Sequence, residues 1–138
     1  MVSFTVYAKP VSQGSVHAIT VNGKARVIHN KSKELYDQRG LIQSLFKEAG
    51  GTKIDGAVEI CITFCFIRPK SVSAKKRPEM TVKPDIDKLT RSVLDALTHH
   101  AYDDDSQVVW LHVNKCYGLE EYIEIDVSPY PNYITKID

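Results

Sequence analysis

The sequence has no Cys-x-x-Cys pair, and its three cysteines, Cys61, Cys65 and Cys116, are an odd number. Neither a disulfide framework nor a zinc site follows from that spacing. Cys61 and Cys65 share one strand-like stretch, where four residues span about 13 Å, too far for a disulfide. Core thiols are the expectation. No apolar run approaches the roughly 18 residues of a membrane span, and the first residues lack the basic-then-apolar layout of a signal peptide. A protein without membrane association, in the cytoplasm, is expected. No internal repeat and no linker divides the 138 residues, which suit a single domain over 1–138. A hydrophobic share of 43% and a charged share of 25% exclude disordered, collagenous and membrane classes. No serine or cysteine nucleophile has a paired histidine nearby in the chain.

Net charge is also nearly lacking, +1 from 18 basic and 17 acidic residues. The average hides a polar distribution. From Arg68 to Pro84, six basic residues (Arg68, Lys70, Lys75, Lys76, Arg77, Lys83) face only Glu79, a local charge of +5. From Asp85 to Asp105, six Asp face only Lys88 and Arg91, a local charge of −4. A basic segment that leads into an acidic one suits a phosphate-backbone ligand held by the bases and a metal held by the acids.

Periodicity places these stretches. Val2–Ala8 alternates as a half-buried strand does. Val16–Thr20 and Ala25–His29 flank Asn22-Gly23, a type I′ turn signal, and predict a hairpin arm carrying Lys24 and Arg26 as a secondary DNA contact. An amphipathic helix over 32–49 uses Leu35, Leu41, Ile42, Leu45, Phe46 and Ala49, and Gly50-Gly51 ends it. Ala57–Ile67 is the longest strand signal, with Val58, Ile60, Ile62, Phe64 and Phe66 on one face, and is expected at the centre of the sheet. Arg68–Pro84 reads as a loop. A second helix follows, with Ile86, Leu89, Val93, Leu94 and Leu97 as its buried stripe and Asp87, Arg91 and Asp95 four apart on its exposed one. Asp103–Asp105 form a turn before the apolar strand Val108–Val113, and Tyr122–Val127 is the last strand. Pro129, Tyr130, Pro131 and Tyr133 predict an irregular tail. This order predicts an α+β fold, a mixed sheet of about four or five strands with two main helices packed on it.

The chemistry rests on the acids. Either Asp of Asp85-Ile86-Asp87 can simply cap a helix, and an Asp-Asp-Asp run is ordinary in a turn. The helix start and the turn after its end lie roughly 15 Å apart along the axis. Spacing alone therefore leaves the proximity of Asp105 to Asp85 open. If they converge, Asp85, Asp87 and Asp105 form a hard oxygen cage for Mg²⁺ or Mn²⁺, with no histidine to share it. Such an ion activates water and stabilises charge on a phosphodiester. Arg91, one turn beyond Asp87, either holds a phosphate oxygen or pairs with Asp87 or Asp95.

Lys83-Pro84-Asp85-Ile86-Asp87, then Leu89, then Leu94-Asp95-Ala96-Leu97, then Tyr102-Asp103-Asp104-Asp105-Ser106-Gln107-Val108-Val109, resembles the signature of the RusA family of Holliday junction resolvases. Lys115-Cys116-Tyr117 resembles the Lys-x-Tyr that often follows it. The resemblance implies that Asp85 and Asp87 are the paired metal-binding aspartates and Asp105 the third. Asp95, Asp104 and Gln107 then support them. It also implies Mg²⁺, with Mn²⁺ substituting, a four-way DNA junction as substrate, a homodimer and a bacterial or phage origin. Lys75, Lys76, Arg77, Lys83, Lys88 and Lys115 are the expected DNA contacts. Two departures stand out: Lys88 where the family usually has Asn, and Arg91 where it usually has Lys, a change from a point charge to a planar fork. The rivals are a non-catalytic junction-binding protein and a metal nuclease of the Pro-Asp…(Asp/Glu)-x-Lys type. The second lacks its acid, because Val113 stands two residues before Lys115.

Overall fold

Strict alternation makes one strand the spine of the sheet. In β4 (Val58–Ile67) the side chains of Val58, Ile60, Ile62, Phe64 and Phe66 are all buried, while Glu59, Cys61 and Thr63 on the other face are half-buried. Cys65 departs from the alternation and is buried as well. A strand needed on both edges belongs inside a sheet, and β4 pairs antiparallel with β6 (Tyr122–Pro129) and parallel with β5 (Val108–Gly118). β1 (Val2–Val6) completes a four-stranded mixed sheet, order β1-β6-β4-β5. The computed structural model, in which these elements are seen, describes residues 1–14, 16–29 and 33–131.

Two helices cover the β4 face whose side chains are buried, and the whole is an α+β fold. Phe46 and Ile42 of α1 (Lys33–Glu48) join Leu89, Val93, Ala96 and Leu97 of α2 (Ile86–Leu97) and the inner residues of β4 and β6 in one apolar core. Burying these side chains contributes roughly 1.5–3 kcal/mol each. Two residues past the end of α1, Gly50 takes a φ of 88°, the left-handed conformation that follows a helix end. Gly51 sits against the Phe46 ring, where an added Cβ would lie 2.5 Å from its atoms.

Both helix stripes differ from expectation at their edges. In α1, Leu41 is 40% exposed and Ala49 is exposed, and Gln38 is buried in their place. Its amide makes this tolerable, since Oε1 accepts from the Val11 N–H at 3.2 Å and Nε2 donates to the Lys9 carbonyl at 3.0 Å. In α2, Ile86 is 40% exposed and Leu94 half-buried, whereas Ser92, Thr90 and Ala96 face inward. The small side chains let α1 approach closely, and Gln43 Nε2 reaches the Ala96 carbonyl at 3.1 Å. The stripe is thus rotated, and Ile86 and Leu94 are turned toward the surface beside the acids.

β4, α2 and β5 form a parallel β-α-β unit, so α2 runs antiparallel to both strands. Between β4 and α2 lies the basic segment, folded as turns and not as a helix or strand. Arg68 tethers it, donating to the carbonyls of Arg77 and Pro78 and stacking over the Tyr117 ring at 4.4 Å. Separate from the main sheet, β2 (Val16–Val21) and β3 (Lys24–His29) pair antiparallel as the expected hairpin. Its Asn22 and Gly23 have φ of 52° and 75°, the positive pair that a type I′ turn needs. The tail expectation at Tyr133 lies outside the described residues, while β6 itself continues to Pro129.

Candidate active site

Asp85 stands at the N-cap of α2 with extended φ and ψ of −71° and 140°, yet its side chain accepts no cap hydrogen bond. The capping role that an Asp at this position usually takes is therefore not filled. Its carboxylate lies 3.7 Å from Lys88 Nζ, one turn along. Behind it, the backbone is held from across the sheet. Lys115 Nζ, projecting from β5, donates to the carbonyls of Val82 at 2.6 Å and Pro84 at 2.8 Å. The Lys83-Pro84 peptide between these carbonyls is cis. Lys115 thus supports the turn that presents Asp85, its ammonium committed to backbone oxygens.

Asp87 follows in the first turn, where a negative charge is favoured by the helix dipole. It lines a cavity of about 490 Å³ between α2 and β5, together with Ile86, Thr90, Arg91, Leu94, Asp105, Leu111 and Val113. Asp87, Arg91 and Asp105 therefore share one wall system. Asp85 is not on that wall, and among the described residues no group of three or more acidic, histidine or cysteine side chains is close enough to hold a metal together. Two of the three expected aspartates are brought to one space. The topology explains the spread, because β5 begins beside the C-terminal half of α2 and only its later residues, Leu111 to Lys115, return toward the helix start.

Arg91 forms no ion pair with Asp87 or Asp95 among the described residues, and it lines the cavity. Asp95 pairs instead with Arg39 of α1 at 3.4 Å, and the same guanidinium nitrogen donates to Gln13 Oε1 at 2.9 Å. Nothing near Asp95 in the chain signals Arg39, and the pairing depends wholly on how α1 packs on α2.

The acidic turn is a small built object. After α2, His99 takes a left-handed φ of 71° that reverses the chain, and buried Tyr102 donates its hydroxyl to the Leu94 carbonyl at 2.8 Å. Burial pushes the Tyr102 pKa well up, so the hydroxyl remains a donor. A 3₁₀ turn, Asp105–Gln107, then follows, capped by Asp104. The Asp104 carboxylate accepts from the Ser106 N–H at 2.9 Å, and this bond first of all lowers its pKa. Gln107 closes the box: its Oε1 accepts from the N–H groups of Asp103 and Asp104, and its Nε2 donates to the carbonyls of Ile54 and Gly56. Asp103 is engaged by Lys53 at 2.7 Å. Asp105 alone of the three is left for the cavity. Partial desolvation first, then a hydrogen bond to Asp104 and the charges of Asp104 and Asp95, push its pKa up. Its ionised form is thus a carboxylate with more negative than positive neighbours, which a cation would relieve.

The surrounding cations divide. Lys75, Lys76 and Lys83 are exposed, and none of them forms an ion pair among the described residues. Arg77 is half-buried and donates to Tyr117 Oη at 3.1 Å, Lys88 faces Asp85, and Lys115 is the support described above. The residues that local patterns do not reveal are Arg39, Lys53, Leu111 and Val113, which reach the site only through tertiary packing.

The family described as endodeoxyribonuclease RusA matches residues 8–128 of this chain, from the end of β1 to β6. The chain is 36% identical over 133 residues to the uncharacterized protein YqaN of Bacillus subtilis (strain 168), covering 90% of this chain and 93% of that one. Over 108 residues it is 28% identical to the crossover junction endodeoxyribonuclease rusA of Lactococcus phage r1t, covering 76% of this chain and 67% of the phage protein. With the α2 acids, the Asp104-Asp105 turn and Lys115 all inside the matched span, the chain belongs to the RusA family of endodeoxyribonucleases.

Proposed function

We propose that this protein resolves four-way (Holliday) junctions by Mg²⁺-dependent hydrolysis of phosphodiester bonds, acting as a homodimer in DNA recombination and repair. The observation that carries the reading is the α2–β5 cavity, which gathers Asp87, Arg91 and Asp105 beside a loop rich in unpaired lysines. The name of the phage relative supports the junction as substrate.

The donor chemistry suits a hard cation: Asp87 and Asp105 offer carboxylate oxygens to one cavity with no nitrogen or sulfur ligand beside them, and Asp85, whose side chain caps nothing, would have to turn toward them to serve as a third donor. Mg²⁺, or Mn²⁺ in its place, held by these aspartates would activate water and stabilise negative charge on the phosphodiester. The chain's own groups do the rest. Arg91 supplies a guanidinium to a non-bridging phosphate oxygen, an interaction that strengthens as charge builds there. Ile86, Leu94, Leu111 and Val113 give the cavity apolar walls beside the charged groups. Lys115 and Gln107 hold the two backbone segments that carry the aspartates. Lys75, Lys76 and Lys83 contact backbone phosphates and give salt-sensitive affinity with little sequence preference.

A two-fold enzyme suits a junction that needs two symmetrical cuts. One edge of the sheet supports a self-association. β5 is an outer strand, and Val109 and Trp110 on it are exposed by 57% and 53%. Such an apolar edge without Lys or Pro in those positions is the kind that pairs with another copy.

A synthetic four-way junction and a linear duplex, each incubated with the protein with and without Mg²⁺, test the proposal. Cutting of the junction alone, only with the metal, is expected. Tight junction binding without cutting in Mg²⁺ or Mn²⁺ would instead favour a non-catalytic junction-binding protein.

A further inference from the structure

Among the described residues, the hairpin β2–β3 is joined to neither edge of the main sheet. A lone two-stranded hairpin is only marginally stable in water and usually lies on something. Its base is fastened beside the aspartates. Gln38 of α1 holds the Lys9 carbonyl and the Val11 N–H, the Gln13 N–H donates to the Lys88 carbonyl at 3.2 Å, and Arg39 holds the Gln13 side chain at 2.9 Å. Lys88 directly follows Asp87, and β2 begins at Val16, three residues after Gln13. The arm therefore starts within roughly 10 Å of the α2 backbone at the site. Six residues per strand then carry its tip about 20 Å from the base.

Charge indicates what the arm meets. The first 33 residues contain no Asp or Glu, while they contain Lys9, Lys24, Arg26, Lys31 and Lys33. Lys24 opens β3 and is exposed at the turn, and Arg26 follows two residues on in the same strand. A two-stranded ribbon of this width is one of the shapes that the major groove of DNA admits.

We infer that β2–β3 is a second DNA-contacting element, an arm that lies against a duplex branch flanking the bond to be cut, with Lys24 and Arg26 on backbone phosphates. The inference rests on the reading of the ligand as branched DNA. It adds a contact to that of the Arg68–Pro84 loop, which lines a cavity with Lys9 at the approach to the arm, so that duplex is held from two elements.

The test compares wild type with Lys24→Ala/Arg26→Ala and with the charge-keeping Lys24→Arg/Arg26→Lys. Labelled four-way junction and labelled linear duplex are titrated in EDTA over a series of KCl concentrations, and binding is read by fluorescence anisotropy. Loss of two phosphate contacts should lower the slope of log affinity against log salt by about two and weaken binding on the order of tenfold at low salt. The charge-keeping variant should retain the wild-type slope. An alanine variant with unchanged slope and affinity overturns the arm, whether or not the wild type prefers junctions. If that variant keeps its salt slope but sediments at a smaller mass than the wild type, the arm holds a second copy of the chain and the inference also falls. A wild type that binds junction and duplex alike, with the slope lost on both in the variant, sustains the arm and sinks the junction reading.

Discussion

Asp85 and Asp105 each stand at the start of a helical turn whose capping role they do not take. Asp85 occupies a cap position without capping, and Asp105 follows an Asp that does cap and so is left for the cavity. Asp87→Asn and Asp105→Asn should keep junction binding and lose cleavage by about 10²-fold or more, as loss of an electrostatic group in a site usually does. Gel-shift and single-turnover assays on the same variants check both halves. Undiminished cutting would remove these carboxylates from the chemistry. Arg91→Ala should slow turnover more than it weakens binding, with partial recovery in Arg91→Lys, because the charge returns but the fork does not. Lys115 acts at one remove. Lys115→Met leaves the exposed Val82 and part-buried Pro84 carbonyls without their donor, a cost of about 0.5–1.5 kcal/mol. Urea unfolding should register that loss, and cleavage should fall although every aspartate is intact.

Among the elements, the turn Asp105–Gln107 owes its shape to one side chain that reaches four backbone groups. Gln107→Ala should lower unfolding stability by about 1–3 kcal/mol in a denaturant titration and slow cleavage by displacing Asp105. An alanine variant as stable and as active as wild type would show that Asp104 alone holds the turn. α2 makes the complementary point. Its apolar pattern at i, i+3 and i+4 correctly marked a helix, but the pattern could not say that Ser92 and Ala96 would lie against α1. Two large apolar residues, Ile86 and Leu94, were displaced by that choice and became walls of the site. A hydrophobic stripe is thus legible to within one row of side chains, and the final rotation is set by the neighbour it packs on.

At the scale of the molecule, the parallel pairing of β5 with β4 decides both the site and one edge of the sheet. If the second copy pairs there, Trp110→Glu with Val109→Lys should convert a dimer to a monomer in analytical ultracentrifugation while leaving the fold intact by circular dichroism. A variant that stays dimeric would move the interface elsewhere. Local sequence was sufficient for β4, for the Asn22-Gly23 turn, for both helices and for the acidic motif, because period, turn chemistry and helix ends depend on residues a few positions apart. It also carried the family, through ordered spacing over the α2 and Asp-turn stretch. The contacts that assemble the site join residues much farther apart: Arg39 with Asp95 over 56 positions, Gln107 with Ile54 over 53, and Lys115 with Val82 over 33. No local period encodes such pairs. They exist only once β5 has returned along α2 and α1 has closed over it, and so the chain alone named the aspartates, while packing decided which of them face one cavity and what holds them there.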